Sequence, residues 1–390
     1  MSLAPGSWTD APARAAQARV VIFGCGGIGG CIAARLVCSA PEGRNVVVVT
    51  QNVAITAAVA RDGLRARFPD SDAHVRVDVV THPRGAAARG LFDVAVLAVP
   101  PNRIEQAAEQ ARALLTPTGL LVPLANGLPE ERLVQRYGDA AVVGAIVGFG
   151  AAVLAPGIVE QTSEGGLTIG RLGGGIDDGL LFVSALLQAV DARGIDIDVE
   201  SAAPAPANVT TNLRGARFAK LAINCAISSL GTIGGDTLGS LMRHRFGRRL
   251  CLEVMTEAVQ TATRLGVKLE KLANTIDLEW LALDDDERLV SGSPSLLAKH
   301  TVLLAVGAKY RRLRSSMLAA IERGREPPVD YLNGEVVSRA TALGIATPVN
   351  SAVVDAVHAI ARGERRPSVA SLRELFDSTR VSLRELRLSA

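Results

Sequence analysis

The sequence predicts a parallel α/β domain followed by an all-α domain, and three observations carry that reading. From residue 18 to about residue 200, short β-branched runs alternate with helical stretches, the rhythm of strands joined by crossover helices. From residue 211 to residue 358 helical periodicity takes over and strand-like alternation nearly disappears. The third observation is the hexapeptide GCGGIG at 24–29, placed between the first apolar run and a helix-like stretch at 28–37.

Taken in chain order, the runs at 19–23, 46–50, 75–80, 94–99, 119–124 and 142–147 read as strands of one sheet with helices on both faces. A second group, 157–170 and 195–199, reads as extra strands closing the domain. The stretch 202–208, with Pro204 and Pro206, is the linker. This divides the chain into an arm at 1–17, a nucleotide-binding domain at 18–203, a helical domain at 204–368 for substrate and dimerisation, and a tail at 369–390. The arm is rich in Ala, Pro and Ser without a continuous apolar core, so it reads as disordered rather than as a signal peptide. In the helical domain, 284–287 and 291–295 read as an exposed turn before one long helix from Pro294 to about Arg323, broken at 325–328. The tail reads as a helix of alternating charge, a solvated face or a subunit contact.

The glycine hexapeptide follows a buried strand and opens a helix, and that context gives its spacing meaning. Gly24 allows the tight turn, Gly26 lets the backbone approach a pyrophosphate, and Gly29 lets helix and strand pack closely. With Cys25, Gly27 and Ile28 these residues form a loop whose free N–H groups sit at a positive helix end. The first domain is thereby read as a Rossmann-type dinucleotide-binding domain.

Composition excludes other classes of partner. The chain has 390 residues, 48% hydrophobic and 21% charged, with a formal net charge of only +3. No Lys/Arg block runs together with aromatics, which argues against a nucleic-acid surface. No apolar run reaches the length of a membrane span, about 20 residues. The five cysteines, Cys25, Cys31, Cys38, Cys225 and Cys251, form no CxxC pair and read as buried thiols in a reducing compartment, so the expected location is the cytoplasm. The five histidines are scattered, and no metal site is expected.

The stretch RFAKLAINCAISSL at 217–230 carries the chemistry. Between Ala219 and Ile227 every residue is apolar except Lys220 and Asn224, and with Ser228 these fall at i, i+4 and i+8. An ammonium, an amide and a hydroxyl then lie along one side of an otherwise apolar helix. A lysine in a partly apolar cleft loses basicity and can give a proton to an oxygen becoming an alkoxide, so Lys220 is the candidate general acid.

GCGGIG, the Asn126–Gly127 pair in PLANGLPEE, KLAIN at 220–224, SSM at 315–317, and VDYLNGEVV followed by GIATPVN together resemble the ketopantoate reductase family over residues 19 to 365. The resemblance implies a Rossmann domain and an all-α C-terminal domain like that of 6-phosphogluconate dehydrogenase, with the active site between them. It implies the family's reaction, reduction of 2-dehydropantoate by NADPH on the route to pantothenate. It places Lys220 at the catalytic lysine, Asn126 near nicotinamide and substrate, and Asn224 and Ser316 at substrate-contacting positions, with Ser228 in place of the helix's second asparagine.

Departures from the family pattern bear on the substrate. The family's substrate-binding glutamate falls on Pro328 and its lysine after the fourth strand on Pro100, and a proline side chain neither donates nor accepts. Loss of a carboxylate that binds a substrate hydroxyl argues for a related ketone or imine without that hydroxyl. Asp330, Glu335 and Arg103 are nearby compensating groups. Lys309, Arg312 and Ser316, at i, i+3 and i+7, read either as a carboxylate-binding face of the long helix or as a basic solvated one.

The second strand ends in VVVVTQN, where Thr50, Gln51 and Asn52 stand in place of the Asp or Glu that selects NAD. The family's arginine for the 2′-phosphate is missing there, Arg61 follows on the next helix, and Gln51 is the cofactor contact. NADP is the expected cofactor, with NAD not excluded. Two other readings stay open at this point: an imine- or opine-type reductase acting on C=N, and a dinucleotide-binding module without chemistry. The partner is a small molecule rather than nucleic acid or membrane, and the helical domain offers surface for a homodimer.

Overall fold

The computed structural model describes residues 11–39, 45–188, 209–271, 277–289 and 292–388. The linker expected at 202–208, the strand expected at 195–199 and the first ten residues of the arm lie outside them. The chain divides into two compact units, Met1–Leu213 and Arg214–Ala390.

In the first unit, β1 (Val20–Phe23), β2 (Val46–Val49), β5 (Asp78–Val80), β6 (Phe92–Leu97) and β7 (Leu115–Pro123) form a parallel sheet in the order β5-β2-β1-β6-β7. Every residue of β1 and β2 is buried, as expected of strands covered on both faces. Alternate residues feed two cores: Val20, Ile22, Val46, Val48, Val94 and Val96 face one, and Val21, Phe23, Val47, Val49, Ala95 and Leu97 the other. The first core includes α2 (Gly27–Cys38) and residues of α3 (Val53–Asp62) and α7 (Asp178–Leu187). The second takes in Ala86 of α4 (Pro83–Ala87), Ile104, Ala107, Ala108 and Ala111 of α5 (Ile104–Arg112), and Leu133 of α6 (Pro129–Tyr137).

Two smaller sheets complete the unit, one in the order β4 (Asp72–Val75), β3 (Leu64–Arg67), β10 (Ile158–Gln161), β9 (Ala151–Ala155), and one in the order β12 (Val209–Thr210), β11 (Leu167–Gly170), β8 (Gly144–Val147). They correct the sequence reading in two places. The run 75–80 is split, with Val75 ending β4 and Asp78 opening β5 in a different sheet. The run 142–147 pairs with the parallel sheet through a single bridge from Val142 to Leu121, while β8 pairs antiparallel with β11.

The arm reading also fails for its second half. Residues Ala11–Gln17 form α1, whose Ala11 and Ala15 are buried and whose Arg14 lies over the Phe182 ring of α7 at 5.1 Å. Alanine at every fourth position gives this stretch a narrow apolar stripe, enough for a helix once α7 covers it.

The second unit is helical: α8 (Leu213–Gly234), α9 (Leu238–Arg243), α10 (Arg245–Arg264), α11 (Leu278–Leu281), α12 (Asp285–Leu289), α13 (Pro294–Lys309), α14 (Ser316–Ile321), α15 (Asn333–Ala342), α16 (Pro348–Ala361) and α17 (Val369–Leu388). The expected terminal helix is α17. Of the exposed turn expected at 284–287, Asp284, Asp285 and Asp286 are exposed, while Glu287 is buried and ion-paired with buried Lys299, whose ammonium also donates to the Ala282 carbonyl at 2.7 Å. Beside it, Glu253 lies between Arg249 and Arg288, at 2.9 and 2.8 Å. Charges this deep persist because each has a partner.

The long helix expected from Pro294 to Arg323 is two helices. α13 stops at Lys309, and the chain turns through 310–315 before α14 begins. Ser315 makes the break, because its hydroxyl accepts from the Leu318 N–H and caps α14. Lys309, Arg312 and Ser316 therefore share no helical face.

Candidate active site

The first unit contributes a cradle at the carboxyl end of β1. Gly24 has φ +102°, and its N–H donates to the Val49 carbonyl at 2.8 Å. A Cβ there would lie 2.4 Å from the Ala98 oxygen, so only glycine fits. At Gly29 a Cβ would stand 2.0 Å from the Gly24 oxygen, which enforces the close packing of α2 on the turn. Gly26, the N-cap of α2, has no side-chain cap, and a Cβ on it would meet no atom within 4 Å. That open side at a positive helix end is what an approaching pyrophosphate requires. The residues present therefore fit a dinucleotide. Gly27 has a separate duty that spacing did not reveal, since its Cβ would collide with the Ala151–Ala152 backbone of β9 at 2.6 Å. The Cys25 thiol beside the cradle is buried, which pushes its pKa up to about 11 and leaves it a packing group.

Gln51 and Asn52 follow β2 at the same sheet end. Asn52 is committed to capping α3, its side chain accepting from the Ile55 N–H at 3.2 Å. Exposed Gln51 accepts from the Arg103 guanidinium at 2.7 Å. Arg103 belongs to a single 3-10 turn, Pro101–Arg103, for which Pro100 serves as N-cap. Arg61 lies on the next helix as expected, at the far end of α3, roughly 13 Å along the helix from Asn52, where it is paired with Asp62 at 2.7 Å. Asn126 is exposed just beyond the carboxyl end of β7, before Gly127 with φ +90°.

The second unit contributes α8. Lys220, Ile223, Asn224, Ile227 and Ser228 are half-buried, while Ala219, Leu221, Ala222, Cys225, Ala226, Ser229 and Leu230 are buried. The expected line of ammonium, amide and hydroxyl is therefore a narrow strip framed by two isoleucines, with none of the extra charges a solvent edge would carry. At its far end α14 docks on the same helix. The Ser315 hydroxyl donates to the Ser228 carbonyl at 2.7 Å and lies 2.9 Å from the Thr232 hydroxyl. The structure thus brings Ser228 next to Ser315, and exposed Ser316 follows at the first position of α14.

Of the compensating carboxylates near Pro328, Asp330 pairs with His358 at 2.9 Å and Glu335 with Arg339 at 2.8 Å. Sequence reasoning missed the groups that hold α8 in place. Buried Asn333 donates to the Cys225 carbonyl at 3.2 Å and to the Asn350 side-chain oxygen at 2.9 Å, and accepts from Ser229 at 2.5 Å. Asn350 in turn donates to Glu257 at 2.7 Å, and that carboxyl also accepts from the Val349 and Asn350 backbone N–H groups that open α16. Burial pushes Glu257 up to about 7. The signal lay in DYLNG and TPVN, whose asparagines sit within otherwise apolar helical patterns.

The family described as Ketopantoate reductase PanE/ApbA matches residues 20–174, and its C-terminal part, Ketopantoate reductase PanE/ApbA C terminal, matches residues 212–361. The chain belongs to the ketopantoate reductase family. Among relatives of this family, it is 24% identical to a 2-dehydropantoate 2-reductase of Pyrococcus abyssi over 85% of this chain and 94% of that protein. It is 27% identical to the Halobacterium salinarum enzyme of the same name over 87% and 97%. In fold it is similar to a PanE/ApbA family ketopantoate reductase from Ralstonia eutropha, with TM-score 0.69, 24% identity and coverage of 88% and 99%. It is also similar to D-mandelate dehydrogenase, solved with NADH and anilino(oxo)acetate, with TM-score 0.70, 16% identity and coverage of 88% and 99%. Ketopantoate reductase family members are pyridine-nucleotide-dependent reductases. Among the described residues of this member, no helix is long and apolar enough to cross a membrane, and no group of three or more His, Cys, Asp or Glu is placed to hold a metal.

Proposed function

We propose that this chain is an NADPH-dependent reductase of small 2-oxo carboxylic acids, turning the keto group into a hydroxyl with Lys220 as proton donor. The observation that carries the reading is the strip on α8, where Lys220 is the single cation on a half-buried line that continues through Asn224 to Ser228. The Gly24–Gly29 loop holds the nucleotide pyrophosphate on the first turn of α2, with Cys25, Gly27 and Ile28 shaping the loop. Gln51 contacts the adenosine end and Asn126 the nicotinamide end. Bound NADPH supplies the hydride for the carbonyl carbon. Lys220 gives its proton to the carbonyl oxygen, completing the alcohol, and takes another from water afterwards. Asn224, Ser228 and Ser316 orient the acid by hydrogen bonds.

The substrate has no hydroxyl at the place where the family reads one, because Pro328 offers no acceptor there. D-mandelate dehydrogenase, a fold neighbour holding an oxoacetate without a hydroxyl, supports that direction. Neither the imine reductase nor the non-catalytic reading gains support from the comparisons.

The test is nucleotide oxidation followed with NADPH and NADH against 2-oxo acids, ketopantoate included, with and without amines. Hydroxyl-free acids should give the higher kcat/KM, and Lys220→Ala should lose about 100-fold to 10,000-fold in kcat. Undiminished turnover by Lys220→Ala would remove the assigned acid. Ketopantoate as the best substrate would overturn the specificity.

A further inference from the structure

We infer that Arg103 reads the 2′-phosphate of the nucleotide, a task carried here from beyond β6 rather than from the end of β2. The inference rests on the pyridine-nucleotide reading above and adds the residue that sets NADP over NAD. Three observations lead to it.

The end of β2 offers no fixed charge of either sign, since Thr50, Gln51 and Asn52 are neutral, Thr50 is buried and Asn52 is spent on capping α3. A site of that kind neither attracts nor repels a ribose phosphate, so selection needs a cation from elsewhere. Arg61, the next cation along the chain, stands at the wrong end of α3 and is neutralised by Asp62. Arg103 is brought to Gln51 by the fold itself. The strand order β2-β1-β6 puts the two residues on opposite sides of β1, about 10 Å apart at the level of the sheet, and the 2.7 Å bond between them crosses the end of the strand that carries the glycine turn.

The geometry suits the task. A guanidinium has five donors in a planar fork, and the bond to Gln51 uses one of them. Gln51 acts as the positioning residue by holding that fork at the sheet end where the adenosine ribose of a Rossmann cofactor lies. Pro100 and Pro101 fix the backbone from which Arg103 projects, since proline sets φ near −65° and the turn opens on both of them. Pro100, which removes a lysine contact expected of the family, thereby helps to build the support for this one.

Calorimetric titration of the whole chain with NADPH, NADH, adenosine 2′,5′-bisphosphate and 5′-AMP tests the inference without relying on turnover. Arg103→Ala should weaken NADPH and the bisphosphate by about 10-fold to 100-fold, the range of a lost charge-assisted bond, and leave NADH and AMP within about threefold. Arg103→Lys should recover part of the loss, and added salt should narrow the NADPH advantage of the native chain. Gln51→Glu should reverse the preference toward NADH by placing a carboxylate against the phosphate. Both positions are exposed, so the thermal midpoint should stay put. Equal losses for NADPH and NADH, or none in Arg103→Ala, would overturn the inference while leaving the reductase reading intact. Failure of the native chain to bind either nucleotide would overturn both.

Discussion

Two alanine substitutions three residues apart should separate the cradle's binding role from its packing role. In Gly26→Ala the added methyl enters open space, and the local φ of −78° and ψ of −168° suit alanine. Lower unfolded-state entropy favours the variant by about 0.4–1 kcal/mol, and alanine's poorer N-capping opposes it by a similar amount. The midpoint should therefore move by no more than about 3 °C. The same methyl occupies the side from which a phosphate oxygen would reach the α2 N–H groups. Losing one such charge-assisted bond costs about 1.5–3 kcal/mol, so NADPH should bind about 10-fold to 100-fold more weakly. Gly29→Ala inverts the pattern, since its methyl stands 2.0 Å from the Gly24 oxygen and 3.0 Å from the Ala98 Cβ, both fixed in the turn. Overpacking of that kind costs about 1–3 kcal/mol, a fall of roughly 3–10 °C. Differential scanning fluorimetry with and without NADPH reads both effects. A Gly26→Ala protein that binds NADPH like the native chain would refute the seat on α2, and an unshifted Gly29→Ala would refute the packing argument.

Asn333→Ala should cost about 2–4 kcal/mol in urea unfolding, because it strands the Ser229 hydroxyl and one side of Asn350 inside the helical unit. Glu257 sits above its unfolded pKa of 4.5, at about 7. Its contribution is therefore full below about pH 4.5 and is lost as pH rises towards 7, a decline of order 1–3 kcal/mol that Glu257→Gln should flatten in urea titrations at pH 5 to 7.5. Cys38 is exposed, whereas Cys25, Cys31, Cys225 and Cys251 are buried with thiols pushed well up. A thiol reagent should label one cysteine in the native state and five in denaturant.

The α/β rhythm, the glycine turn and the α8 strip were legible because each is a local pattern: a period, a spacing, or a break in an apolar run. The misreadings come from partners distant in sequence. α1 gains its stability from α7, and the two-alanine stripe in its own seven residues is too narrow to announce a helix without that partner. The break before α14 depends on Ser315 finding both the Leu318 N–H and the Ser228 carbonyl, 87 residues away in the second case. Glu287 looked like a surface charge in an acidic turn until Lys299 closed over it. Arg103 was legible as a nearby cation, and only the strand order shows that it meets Gln51.

The buried chain from Ser229 through Asn333 and Asn350 to Glu257 separates two kinds of information in this protein. The letters by which such a chain is sorted into its family are, at these positions, joinery: they fasten helices to one another inside the second unit. None of these four residues is among those proposed to bind the substrate. On the proposed reading, assigning a substrate by these letters reads the frame in place of the lock, and Pro100, Pro328 and the neighbours of Lys220 are the positions to compare.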